Sequence, residues 1–312
     1  VRELARLRNR VAQALGFPDH YTMELKRQDI EPSWLDEFLT QTERGTDAAF
    51  GRYKAALDER LAKRFGVRPD ALRPWHLEDP FFQEAPETGR RSFDGLFAGR
   101  DLVDLTNRTY DALGLDVKGS MARSDLLPRA GKNQHAFCTH IDRLGDVRVL
   151  CNNVPNERWM GTMLHEFGHA IYDLEIDLAL PFVLRAPPHM SSTEAIAMLF
   201  GRLSKDASWL APMLGLSTAE AKEVETSARL AFSEGMLVFA RWVLVMARFE
   251  RALYADPERD LDGLWWDLVE KYQRVHRPDA RQAPDWAAKI HIATAPVYYH
   301  SYLMGECTAS QL

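Results

Sequence analysis

Most apolar positions of the chain fall into helical stripes. Leu4, Leu7, Val11, Ala14 and Leu15 recur at the three- and four-residue spacing of one helix face and predict a helix over Arg2 to Leu15. Pro32-Ser33 offers a start and Gly66 a stop for a long helical stretch from Ser33 to Phe65. Pro74, Pro80 and Pro86 then break the pattern between Pro69 and Arg90, with Trp75, Phe81 and Phe82 between them, which predicts an irregular but packed connection. Asp101 to Leu113 reads as a short helix ended by Gly114.

Strand signals occur only between Val117 and Asn152. Gln134 to Cys138 and Val147 to Cys151 flank Arg143-Leu144-Gly145-Asp146, predicting a β-hairpin centred near Leu144 and Gly145. A hairpin symmetric about that point sets Cys138 opposite Cys151, so a cross-strand disulfide and two packed thiols are both open at that position. From Glu157 onward the pattern is helical again. One helix runs to about Leu180 and is stopped by Pro181, and another starts near Ser191 or Ser192. Further helices are expected over Thr218 to Tyr254, over Leu261 to Val275, and from Pro296 to the end at Leu312. The predicted class is mainly α with one small antiparallel sheet.

Composition narrows the function classes. With 312 residues, 46% of them hydrophobic, the chain can bury a sizeable core. A net charge of -6 gives no basic footprint for nucleic acid, and no apolar run is read as membrane-spanning, which points to a small molecule or short peptide as partner. The charged start, Val1 to Arg10, lacks a signal-peptide core, so a cytoplasmic location is expected; the missing initiator methionine points to processing or an artificial start. Three cysteines do not make a disulfide scaffold.

The chemistry centres on His165-Glu166-Phe167-Gly168-His169. Two histidines four apart on a helix leave the same face and reach one metal ion, with the glutamate beside it. Zinc held this way commonly takes a further carboxylate, and Glu194, 25 residues after His169 in the first turn of the next helix, is the best placed. The competing role for Glu194 is a capping box with Ser191. At such a site zinc acidifies water and polarises a carbonyl, while Glu166 is the base that takes the proton, so the expected reaction is amide hydrolysis. An oxyanion donor is then needed, and the carboxy-terminal Lys289-Ile290-His291 and Tyr298-Tyr299-His300-Ser301-Tyr302 are suited to supply one, with Tyr299 and Tyr302 on one helix face. An aromatic stripe packed in the core is the alternative there.

Together these residues resemble the gluzincin peptidases related to angiotensin-converting enzyme, thimet oligopeptidase and oligopeptidase F. The resemblance implies zinc ligation by His165, His169 and Glu194, with Glu166 as base. By likeness to the converting-enzyme branch, His135 would meet a substrate carbonyl and Ala136 would pair with the peptide backbone. Lys289 would bind the substrate's terminal carboxylate, and His291 a carbonyl or the oxyanion. Tyr302 would steady the oxyanion and Tyr299 the substrate terminus, although a one-residue insertion after His291 lets Tyr298 compete for Tyr299's place. The cysteines of the hairpin lie near, not at, a family disulfide.

The departures are specific. His300-Ser301 stands where converting enzymes carry an arginine chloride ligand, and Met198 where they carry an aspartate behind the metal, a contact that Asp173 could replace. The Tyr302-Leu303-Met304-Gly305-Glu306 ending is closer to the oligopeptidase branch. The expected organisation is one catalytic region over 1–312, with a helical part at 1–116 and the hairpin, zinc helices and carboxy-terminal helices at 117–312. Against the longer family members it is expected to be a truncated form, with an independent minimal version as the alternative. The resemblance implies one zinc per chain and hydrolysis of short peptides in the manner of a dipeptidyl carboxypeptidase, with an oligoendopeptidase or an inactive zinc-containing peptide-binding module as alternatives.

Overall fold

The computed structural model describes residues 1–86 and 93–312. Residues 87–92, the end of the predicted irregular connection, lie outside the described residues. The helices before the hairpin are α1 (Arg2–Ala14), α2 (His20–Arg27), α3 (Pro32–Phe65), α4 (Asp94–Phe97), α5 (Leu102–Ala112) and α6 (Lys118–Arg123). The hairpin is β1 (Phe137–His140) and β2 (Val147–Leu150). After it come α7 (Glu157–Leu174), α8 (Met190–Gly201), α9 (Ala207–Leu214), α10 (Thr218–Ala255), α11 (Leu261–Gln273), α12 (Ile290–Thr294) and α13 (Tyr299–Ala309). The class is mainly α with one two-stranded antiparallel sheet, as the pattern predicts.

Two compact units form from non-contiguous segments, 1–90 with 230–300, and 91–229 with 301–312. In the first, the central part of α10 is buried on every side: Val238, Trp242, Val243, Leu244, Val245, Met246 and Phe249 are fully buried. Trp265 meets both Trp242 and Phe249 edge-to-face, at 5.8 and 5.2 Å between ring centres. By length and composition alone α10 contains a window that could cross a membrane, and half of that window is buried within the protein, as in the core helix of a globular fold. In the second unit, Met160, Met163, Leu164, Phe167 and Ala170 of α7 pack with Val147, Val149 and Cys151 of the hairpin and with Tyr110 of α5.

Three expectations are corrected. Strand β1 begins at Phe137 rather than Gln134, and Cys138 pairs with Val149, not Cys151, so the hairpin is shifted by two residues and both cysteines are free. The cause is the turn: Ile141 N–H closes on Asp146 C=O, the Asp142 carboxylate accepts from Leu144 N–H and Asp146 N–H, and Arg143 takes a left-handed φ of 56°. Helix α7 ends at Leu174 instead of Leu180, because its buried face stops at Ile171 and the apolar residues beyond, Leu178 and Leu180, are exposed. The last helix starts at Tyr299 and ends at Ala309, with the separate α12 before it, and α2, α4, α6 and α9 were not anticipated.

Candidate metal centre

Helix α7 is capped by Asn156, whose side chain accepts from Trp159 N–H, and its 3.6-residue repeat stacks His165 over His169. Their rings lie 4.8 Å apart and nearly perpendicular. Helix α8 starts at Met190 with no side-chain cap, so the Ser191 capping box is absent and Glu194 sits beyond the first turn. Its Oε2 is 3.6 Å from Nε2 of His165 and 3.7 Å from Nε2 of His169, and the donor atoms of all three residues lie within 4.8 Å of one another.

This donor set fits zinc. Ligand bonds of about 2.0–2.2 Å in a tetrahedron place neighbouring donors about 3.3–3.6 Å apart, and the two carboxylate-to-imidazole distances lie at the upper edge of that range and just beyond it. The Thr193 hydroxyl lies 2.7 Å from Nδ1 of His169, which turns Nε2 toward Glu194. Thr193, not Asp173, supplies the contact behind the histidine, and the sequence reading missed it although it directly precedes Glu194. Burial pulls the histidine pKa values down, to about 4 for His165 and about 3 for His169, keeping both neutral and able to ligate at ordinary pH.

Two glycines make the convergence possible. An added Cβ on Gly168 would lie 2.8 Å from Ala197 Cα, so α7 and α8 touch backbone to backbone at the motif itself. At Glu194 itself, a Cβ on Gly305 would lie 2.9 Å from Glu194 Cβ.

Glu166 is buried beside this centre. Burial first, and the Glu194 charge second, raise its pKa to about 8, opposed by a hydrogen bond from the Cys138 backbone N–H of β1. The hairpin therefore presents a donor to the base of the motif. His135 is exposed and Ala136 half-buried, both immediately before β1 and not in it. The Asn133 side chain accepts from His135 N–H, and buried Lys132 ties this segment to Asp125, Leu127 and Cys151.

Lys289, His291 and Tyr299 assemble in the first unit. Lys289 is buried, with Nζ 5.6, 5.4 and 5.7 Å from the ring centres of Phe81, Trp242 and Tyr299, and it donates to Oε1 of Gln83 at 2.7 Å. Burial lowers its pKa, against the charges of Asp79 and Glu84. The His291 ring stands 4.9 Å from that of Tyr299. Gln83 and Trp242 were not anticipated; they come from the proline-broken connection and from mid-α10, with no motif to mark them. Tyr302 falls on α13 with Tyr299, in the part of that helix that belongs to the second unit.

No curated protein matches the chain by sequence. Solved structures share its fold. PZ peptidase A, solved with an inhibitor, superposes with a TM-score of 0.71 at 19% identity over 98% of this chain and 54% of its own. A structure named as an oligoendopeptidase F from Bacillus anthracis gives 0.67 at 18% identity, covering 98% of this chain and 51% of its own. A second structure named as oligoendopeptidase F gives 0.69 at 20% identity, covering 98% and 53%. The chain thus spans about half the length of these proteins. The profile of the peptidase family described as angiotensin-converting enzyme, a zinc-dependent family, matches residues 127–311, which take in the hairpin, α7 with its two histidines and α8 with Glu194. With more than half of its residues matched, the chain belongs to the angiotensin-converting enzyme family of peptidases.

Proposed function

We propose that this chain is the zinc-binding part of a peptidase that hydrolyses short peptides, with a preference for substrates bearing a free carboxy terminus. The observation that carries it is the convergence of His165, His169 and Glu194 from two helices, with buried Glu166 one residue from the first ligand. These three residues would hold one zinc ion per chain. When bound, zinc supplies Lewis-acid chemistry, polarising a carbonyl and acidifying water. Glu166, whose carboxylate accepts a hydrogen bond from Cys138 N–H, takes the proton of the attacking water and returns it to the leaving amine. Tyr302 and His291 are assigned hydrogen-bond donation to the oxyanion, His135 and Ala136 pairing with the peptide, and Lys289 with Tyr299 recognition of the terminal carboxylate.

The carboxylate assignment is supported by the ammonium of Lys289 among three aromatic rings, where an anion would find a partly desolvated cation. It favours dipeptidyl carboxypeptidase-like cleavage. An oligoendopeptidase is the second reading, favoured by the fold shared with structures of that name. The test is digestion of a peptide library by the metal-loaded chain, read by mass spectrometry, with free and amidated carboxy termini. Cuts two residues from free termini, lost on amidation, are expected; internal cuts indifferent to amidation would select the second reading. Glu166→Gln should keep about one zinc per chain and lose turnover. A parent chain that holds zinc but cleaves no peptide would instead make it a binding module, and one that holds no metal would overturn the proposal.

A further inference from the structure

Val297 is a β-branched residue with a φ of 55°, and it is buried. That conformation is strained for valine and persists only where its surroundings over-determine it. Both neighbouring peptide planes are held by side chains distant in sequence. Glu250 Oε1 accepts from Val297 N–H at 2.9 Å, and Gln28 Nε2 donates to Val297 C=O at 3.2 Å. Because φ and ψ are the rotations between those two planes, a hydrogen bond to each plane restrains both angles. With its amide nitrogen so engaged, Gln28 offers its oxygen to Nε2 of His300, at 3.0 Å, in the first turn of α13.

We propose that Gln28 and Glu250 are positioning residues that clamp the left-handed Val297 backbone and thereby set Tyr299 and His291 against Lys289. Val297 lies in the short connection between α12, which carries His291, and α13, which opens at Tyr299. Its two dihedral angles are therefore among those that set how the two rings meet at 4.9 Å. The reference frame is α10, which provides Glu250 on one side and, two turns earlier, Trp242, whose ring meets Tyr299 edge-on at 5.7 Å. Arg8 holds the carboxy-terminal half of α12 through the carbonyls of Ile292 and Ala293, leaving the Val297 junction beyond it as the adjustable joint. The inference rests on the carboxylate assignment made above for Lys289.

The test uses the full chain, with an N-acetylated tripeptide and its carboxy-terminal amide as probes in calorimetric titration. The parent is expected to prefer the free carboxylate, and Gln28→Ala to cut that preference by about tenfold through misplacement of the rings. Glu250→Gln, which keeps an acceptor for Val297 N–H, should retain the preference. Gln28→Ala in a Val297→Gly background should cost less, because glycine takes this φ without strain. Preference unchanged in Gln28→Ala overturns the clamp. Preference unchanged in Lys289→Met, or absent in the parent, overturns the carboxylate assignment instead. Independently of any peptide, Gln28→Ala should shift the ring resonances of His291 and Tyr299 in NMR spectra, and unmoved resonances overturn the clamp by themselves.

Discussion

Gly168→Ala places a single methyl group where α7 and α8 touch. The new carbon would lie 2.8 Å from Ala197 Cα and 3.3 Å from both Ala197 N and Phe200 Cδ2. Carbon atoms rest about 3.5–4.0 Å apart, so the helices must part by about 1 Å. Backbone, not a flexible side chain, is what must give way. Two effects on folding oppose each other: alanine gains about 1 kcal/mol over glycine inside a helix, and overpacking costs about 1–3 kcal/mol. The net loss of stability without metal should be about 0–2 kcal/mol, so the variant folds. The metal site has much less tolerance. Ligand distances must hold to about 0.2 Å, and Glu194 starts 3.6 and 3.7 Å from the two imidazole nitrogens. Zinc affinity should fall about 100-fold, or about 2.7 kcal/mol. Competition with a chromogenic chelator measures it, alongside thermal melting of the metal-free protein. Gly45→Ala, in α3 with no neighbour within 4 Å, is the control, expected to bind zinc as the parent does and to melt slightly higher. If Gly168→Ala holds zinc within twofold of the parent, the close helix contact is not what places Glu194.

Thr193→Val removes the hydroxyl 2.7 Å from His169 Nδ1 at nearly constant volume; about 10–100-fold weaker zinc binding is expected in the same competition, and an unchanged constant would refute the contact's role. Burial raises Glu250 to about 8, partly offset by Val297 N–H and the Arg8 charge. Its folded pKa exceeds the unfolded value of 4.5, so the associated stability is complete below pH 4.5 and is lost as pH rises through 8. The loss is about 5 kcal/mol at most; Glu250→Gln should flatten this part of the melting-temperature profile between pH 5 and 9, and a profile as steep as the parent's would contradict it. Thiol titration in denaturant without reductant should find all three cysteines reactive, whereas one reactive thiol would mean that Cys138 and Cys151 bridge after all.

Sequence alone determined the parts that depend on helical spacing. His165 and His169 must share a face if the segment is helical, because four residues make just over one turn, and the run from Trp159 to Ile171 is helical in its apolar repeat. Glu194 was legible because the metal chemistry asks for a carboxylate and the next helix offers one near its start. Contacts made across the fold were not legible. The hairpin register depended on which side chain caps the turn, and Asp142 moved it by two residues. Gln83 reaches Lys289 across 206 residues of chain, and Glu250 reaches Val297 across 47, with nothing in the local pattern to announce either. Gly168 shows the division most sharply. In the sequence it is an unremarked spacer between two metal ligands, and a poor helix former. Only tertiary packing gives it a role, because the absence of a side chain lets α8 approach closely enough for Glu194 to join the histidines.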